Sequence, residues 1–351
     1  VPNGFHLGLA RVDLHIAGHP LPDAHSLAAG AAVLERVRAT PPDVSLLFLI
    51  SGGASSLVEL PTDGVTLADV IAWNAWLVGS GLPISAVNAV RGRFSQLKAG
   101  RLAQHVAPRR ALALMISDVP HDDPAVIGSG LLIASPDASL PAGLPDAMRE
   151  RIDALPASPT EPAIAVPTAI VARPEDFRDA AAAEARRRGF QVEAWPERFD
   201  GDATRVAGRA AERLARSRAD LIVAVGESTV QLPRAPGRGG RNQHLALAAA
   251  RHLAGRPLAV LLAAGSDGTD GPTEDAGAIV DDGTVDRGQL AGLDPGEALA
   301  RAAAGEFLEA SGDLYSTGPT GTNVGDVLIG LTTRGARVLE QRDGLAEAHW
   351  P

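Results

Sequence analysis

Five short apolar runs punctuate the chain: Ser45–Ile50, Ala111–Ile116, Thr168–Ala172, Asp220–Val225 and Leu258–Ala264. None of them alternates polar with apolar positions, which is the pattern of parallel strands covered on both faces. Hydroxyl or acidic residues follow four of them, with glycine in three, as SGGASS, SDVPHDD, GESTV and GSDGTDGPTEDAG. Between the runs lie stretches with helical spacing, Asp23–Ala39, Thr66–Gly79 and Asp176–Arg188, the last closed by Gly189. Strands alternating with helices predict an α/β fold with an open, mostly parallel sheet. Ligands of such sheets bind at the carboxyl ends of the strands, where these glycine-rich loops fall.

A chain of 351 residues predicts two domains. The proline-dense segment Leu155–Pro167 reads as an extended connector, giving domains over 1–160 and 166–333 and a charged tail over 334–351. The net charge of −10 and an aromatic content of 3% argue against a nucleic-acid surface. The absence of cysteine excludes disulfides, thiolate metal sites and a cysteine nucleophile. No apolar run is long enough to span a membrane and no leader is legible, so a soluble, cytoplasmic protein is expected.

Lys98 is the only lysine. Arginine cannot imitate its compact ammonium charge, so a lone survivor points to a specific task. Asn88, Arg91, Ser95 and Lys98 are spaced 3, 4 and 3. On one helix they fall within roughly 80° of arc, a cationic stripe with no carboxylate in the same segment to balance it. Such a stripe suits a polyanion; the bland alternative is a solvated helix face. In SGGASS, the backbone N–H groups and hydroxyls of Ser51, Gly52, Gly53 and Ser55 could cradle a phosphate or carboxylate. Asp118, Asp267 and Asp270 stand just past strand ends, where one or two carboxylates together with phosphate oxygens suit Mg²⁺. Arg241 opens a predicted helix after GRGG, placed to hold a phosphoryl group. His15 and His19 flank Gly18, with Pro20 next, so no HExxH helix forms there. Walker A, GxGxxG and GxSxG motifs are all missing.

Taken in order, SGGASS, NAVRGRFSQLKAGRLA, ISDVPHDDPAVIGSG, GESTV, GRGGRNQ, GSDGTDGPTEDAGA and TGPTGTNV resemble the glycerate 2-kinase family with a C-terminal MOFRL domain. Members of that family once carried the label hydroxypyruvate reductase. The resemblance implies a Rossmann-like domain, then a smaller α/β domain with its MOFRL region over about 220–330, and an active site in the interdomain cleft. It implies transfer of a phosphoryl group from ATP, with Mg²⁺, to the 2-hydroxyl of D-glycerate. The resemblance places the family's catalytic arginine on Arg241; in the kinase reading it supports, Lys98 and Asp267 are catalytic as well, and Asp267, Asp270 and Asp118 serve the metal, with the general base left open among these aspartates. Ser51, Gly52, Gly53, Ser55, Asn88, Arg91, Ser95, Glu227, Gly239, Gly240, Asn242, Thr320 and Asn323 line the substrate and nucleotide sites. The expected partners are these small molecules, with no nucleic acid and no membrane; a second copy of the chain is a further candidate. The sequence departs from the family pattern at Ala54, Ala99, His121, Leu131, Val225 and His244. The family also carries an upstream glycine–lysine motif that has no counterpart here, so the chain is expected to start inside the first domain. An NAD(P)H-dependent hydroxypyruvate reductase and a non-catalytic sugar-acid or nucleotide binder are the rival readings.

Overall fold

The computed structural model describes residues 11–135, 139–159, 161, 164–255 and 258–343. Parts of the predicted connector and the tail beyond 343 lie outside these residues. The chain forms two compact units, Val1–Ala172 and Arg173–Pro351.

Unit 1 holds a parallel sheet of β1 (Leu46–Ile50), β2 (Ala111–Ile116) and β3 (Thr168–Ala172), in that spatial order. Its helices are α1 (Ala24–Ala39), α2 (Ala54–Leu57), α3 (Leu67–Gly79), α4 (Ile84–Phe94) and α5 (Asp146–Asp153). Local chemistry sets the helix starts. Asp23 accepts a hydrogen bond from the Ser26 amide at 2.8 Å while the Ser26 hydroxyl accepts from the Asp23 amide at 3.0 Å. Thr66 and Asp69 repeat that reciprocal capping at α3. One core joins Leu34 and Val37 of α1 to Ile50, Leu102, Ala113 and Met115; a second packs Trp73 and Leu77 of α3 against Val90 and Phe94 of α4.

Two expectations change in unit 1. The strands form as predicted, but burial alternates along β1, where Leu47 is 59% and Leu49 73% exposed. Uniform apolarity along the strand concealed a sheet with one face open among the described residues, and Leu112 and Val171 add to that face. The proline-dense segment is also not the boundary. Val166 joins the core, the Pro167 carbonyl accepts from the Ala113 amide at 2.9 Å, and β3 then completes the first sheet. Proline density signals an extended path, which here runs within a unit.

Unit 2 contains β4 (Val192–Ala194), β5 (Phe199–Asp202), β6 (Leu221–Thr229), β7 (Val260–Gly265), β8 (Gly277–Val280), β9 (Leu314–Tyr315) and β10 (Asp326–Leu331). Its helices are α6 (Pro174–Arg187), α7 (Ala203–Arg216), α8 (Arg241–Leu253), α9 (Thr284–Leu290), α10 (Pro295–Ala300), α11 (Ala304–Ser311) and α12 (Thr333–Asp343). The sheet order is β4-β6-β10-β7-β8-β9, with β5 also paired to β6. This sheet is mixed, not mostly parallel, because β10 runs antiparallel between β6 and β7. Unit 2 is also no smaller than unit 1, and α12 occupies the first part of the predicted irregular tail. Alanine-rich α7 and α8 pack on one sheet face with Ala207, Ala210, Ala246 and Ala249 fully buried. Small side chains let the helices lie close together. Among the described residues no helix is long and apolar enough to cross a membrane.

The antiparallel insertion places Asp326, the first residue of β10, opposite Gly226 and Gly265 near the carboxyl ends of β6 and β7. Gly226 is required by contact: a Cβ there would lie 2.0 Å from the Phe199 carbonyl oxygen of β5. Gly226→Ala should therefore destabilise the protein by about 3 kcal/mol, the range for overpacking against an unyielding neighbour. Urea unfolding followed by circular dichroism measures the loss.

Candidate functional site

The first polar cluster gathers where the turn after β1, the exit of α4 and the loop after β2 meet. The predicted stripe does not run along one helix. Asn88 and Arg91 lie on α4, which ends at Phe94, and Ser95 is its extended C-cap. The chain leaves the helix there because backbone pairing intervenes: the Thr62 amide donates to the Phe94 carbonyl at 2.8 Å and the Gln96 amide to the Leu60 carbonyl at 2.7 Å. Ser95 is wholly buried, and its Oγ accepts from the Leu97 and Lys98 amides at 3.2 and 3.4 Å. It shapes a turn and faces no open space.

Lys98 is likewise fully buried, and its ammonium is not unpaired: Nζ donates to Glu59 Oε2 at 2.5 Å. The counter-charge comes from outside the segment, from a carboxylate in the apolar stretch LVEL that sequence reasoning passed over. The lone glutamate between apolar neighbours was the available signal. Burial and the nearby Arg91 press the Lys98 pKa down, and Glu59 opposes them.

Arg91 is different. Its Nε donates to Asn74 Oδ1 at 2.9 Å and its Nη1 to Ser55 Oγ at 3.3 Å, while no carboxylate among the described residues lies within ion-pair distance. Burial depresses its pKa, and Glu59 partly restores it. In the turn after β1, the backbone N–H groups of Gly52 and Gly53 have no partner among the described residues. Ser51 is exposed, and Asp118 stands half-buried beyond β2.

The second cluster lies in unit 2 at the start of α8. Arg241 is its first residue, as predicted, and is held by two acids. Nε and Nη2 donate to Asp326 Oδ2 and Oδ1 at 2.7 and 3.1 Å, a bidentate grip, and Nη1 donates to Glu227 Oε1. Burial works against its charge, but Asp326 and Glu227 outweigh burial and hold the guanidinium protonated. Asp326 is a site residue the sequence reading missed, since the run DVLIGL was not recognised as a strand.

Asp270 faces inward. Its Oδ1 accepts from the Asn242 amide at 3.0 Å and from Asn242 Nδ2 at 3.3 Å; its Oδ2 accepts from the Gln243 amide at 2.7 Å. A carboxylate on the first amides of α8 caps the helix and complements its dipole. Only glycine fits beside it, as a Cβ on Gly240 would lie 2.2 Å from the Asp270 carboxyl carbon. Asp270 is therefore committed to the helix and is not placed as an open metal ligand. Asp267, half-buried, uses only Oδ1 among the described residues, accepting from the Thr269 amide at 3.0 Å. Thr320 laces the loop before β10 onto this turn: its Oγ1 donates to the Ser266 carbonyl at 2.6 Å and its amide to the Asp267 carbonyl at 3.1 Å. Asn323 Oδ1 accepts from the Gly325 amide at 3.0 Å, and Gly239 packs against the backbone at Gly305.

Lys98→Met leaves Glu59 buried without its cation and should cost about 3–5 kcal/mol, whereas adding Glu59→Gln should recover much of that loss. Urea midpoints of the two single variants and the double variant test the coupling. For Asp270, burial raises the pKa from 3.8 to about 7, against the pull of the Asn242 and Gln243 amides. A raised folded-state value gives stability that is complete below pH 4 and lost as pH climbs through about 7. Asp270→Asn should flatten that part of the stability profile, measured as urea midpoints between pH 4 and 8.

A family described as a domain of unknown function (DUF4147) matches residues 1–149, and the MOFRL family matches 220–326. A D-glycerate 2-kinase from Thermotoga maritima is 38% identical over 340 residues, covering 91% of this chain and 80% of the relative. A relative from Agrobacterium vitis with a hydroxypyruvate reductase name is 36% identical over 336 residues, covering 90% of this chain and 76% of its own. A crystal structure of glycerate kinase from Thermotoga maritima superposes with a TM-score of 0.76 at 33% identity, covering 93% of this chain and 82% of the other. The chain belongs to the glycerate 2-kinase family with a MOFRL domain.

Proposed function

We propose that this chain phosphorylates D-glycerate at its 2-hydroxyl, with ATP as the donor. The observation that carries the reading is Arg91: a largely buried guanidinium without a carboxylate partner among the described residues, beside free amides in the adjoining turn. That combination suits a small carboxylate, and a glycerate carboxylate supplies the missing counter-charge. In this reading Arg91 and the Gly52 and Gly53 amides bind the acceptor. The buried Lys98–Glu59 pair supports them from behind and touches no substrate.

The cluster around Arg241 takes the phosphoryl group. Glu227, Asp267 and Asp326 outnumber Arg241, an acidic excess that fits a divalent cation arriving with a polyphosphate. Among the described residues no group of three or more histidine or acidic side chains is placed to hold a metal unaided. A metal sharing one carboxylate, Asp267, with phosphate oxygens fits the donor set. Mg²⁺ so bound would neutralise charge on the phosphates. Arg241, held by Asp326 and Glu227, keeps its plane fixed and presents its remaining N–H groups to the transferring group. The 2-hydroxyl oxygen bonds to the γ-phosphorus as the bond to ADP breaks. Its proton passes to a carboxylate, with Asp118 and Asp267 the two candidates.

ADP release coupled to NADH oxidation, with D-glycerate and Mg²⁺, tests the reading. Arg91→Met should raise KM for D-glycerate at least tenfold. Arg241→Met should lower kcat by about 100-fold or more, the usual cost of losing one preorganised charge stabiliser. Direct, ADP-independent NADH oxidation with hydroxypyruvate would instead establish the reductase reading.

A further inference from the structure

Three consecutive residues after β2 adopt left-handed backbone: Gly128, Ser129 and Gly130, with φ of 58°, 59° and 67°. Glycine does so freely. A serine incurs a steric cost that a glycine in its place would avoid. Ser129 is also 2% exposed, so the cost is not offset by hydration. What the serine adds is a hydroxyl at a junction.

Three segments of the first cluster meet at this residue. Its Oγ donates to Asn88 Oδ1 of α4 at 2.8 Å and lies in hydrogen-bond contact with Ser55 Oγ of the turn after β1. Its carbonyl accepts from the Ala99 amide at 3.1 Å, and the Gly130 carbonyl accepts from the Gly100 amide at 2.7 Å, which fixes the turn following Lys98.

Hydrogen-bond capacity then sets a direction. Asn88 Nδ2 donates to the Val126 carbonyl at 3.3 Å, so the amide oxygen is the atom turned toward Ser129. The single Ser129 proton goes to that oxygen, so toward Ser55 the Ser129 hydroxyl can only accept. The Ser55 proton is thereby committed to Ser129, and the Ser55 lone pairs face Arg91 Nη1. The chain runs one way: Arg91 to Ser55 to Ser129 to Asn88 to the Val126 carbonyl. Ser55 thus acts as an acceptor that orients Arg91 and has no proton left for a bound anion.

We infer that Ser129 is a positioning residue for the acceptor site, held in a strained conformation because its hydroxyl fixes the hydrogen-bond direction that orients Arg91. This rests on the assignment of Arg91 to the glycerate carboxylate.

Ser129→Gly separates strain from chemistry, since it relieves the backbone while removing the hydroxymethyl group that makes the contacts, and Ser129→Ala removes the hydroxyl alone. It should melt at or above the temperature of the wild type, yet raise KM for D-glycerate at least tenfold and leave KM for ATP within twofold. Ser129→Ala should show the same KM change without the gain in melting temperature. On a Ser55→Ala background Ser129→Gly should add less than twofold, because the chain is already broken. Equal KM values for D-glycerate in Ser129→Gly and wild type would overturn the inference, as would fully additive effects of the two changes. Calorimetric titration of D-glycerate reads the same comparison without turnover. A wild-type chain that binds D-glycerate but releases no ADP would defeat the kinase reading alone.

Discussion

A carboxylate removed from water must be given a cation or a set of N–H donors, and both units are organised around that requirement. In unit 1, Glu59 receives Lys98, and the chain leaves α4 at Phe94 on a path that delivers the ammonium to it. In unit 2, Asp270 receives the first amides of α8 and Asp326 receives Arg241. In each unit the loops at the strand ends are fixed by a charge that cannot be left alone.

That logic redistributes the roles a lone lysine suggested. Rarity in the sequence marked Lys98 as special, and so it is, but as the counter-ion of a buried acid. In unit 1 the largely buried Arg91 keeps electrostatic capacity for a ligand, since its side-chain partners among the described residues are an amide oxygen and a hydroxyl. The reverse holds in unit 2, where acids outnumber the arginine and a cation accompanying a polyphosphate would complete the balance. The cluster in unit 1 is therefore short of negative charge and the cluster in unit 2 short of positive charge.

Much of this was legible in the sequence wherever the determinant was local. Asp23 and Thr66 marked helix starts, and Arg241 was placed correctly at the head of α8. All five apolar runs became strands. What escaped was set by contacts between distant segments. The end of α4 is decided by pairing with residues 60–62, the partner of Lys98 lies 39 positions away, and β3 is claimed by β2 across a proline-dense path. DVLIGL is as apolar as the other strands, but its meaning depends on being inserted antiparallel between two strands already read as parallel neighbours.

That insertion bears on how unit 2 comes into being. β6 and β7 leave the ribosome well before β10, yet β10 lies between them in the finished sheet. The nascent chain must therefore either keep a slot open or let two strands pair and then part, exposing apolar edges meanwhile. Asp326 rides on that late strand. Until it arrives, Arg241 lacks its bidentate partner, so the Arg241 cluster is completed only after β10 emerges, and a chain stalled before β10 carries no complete copy of it.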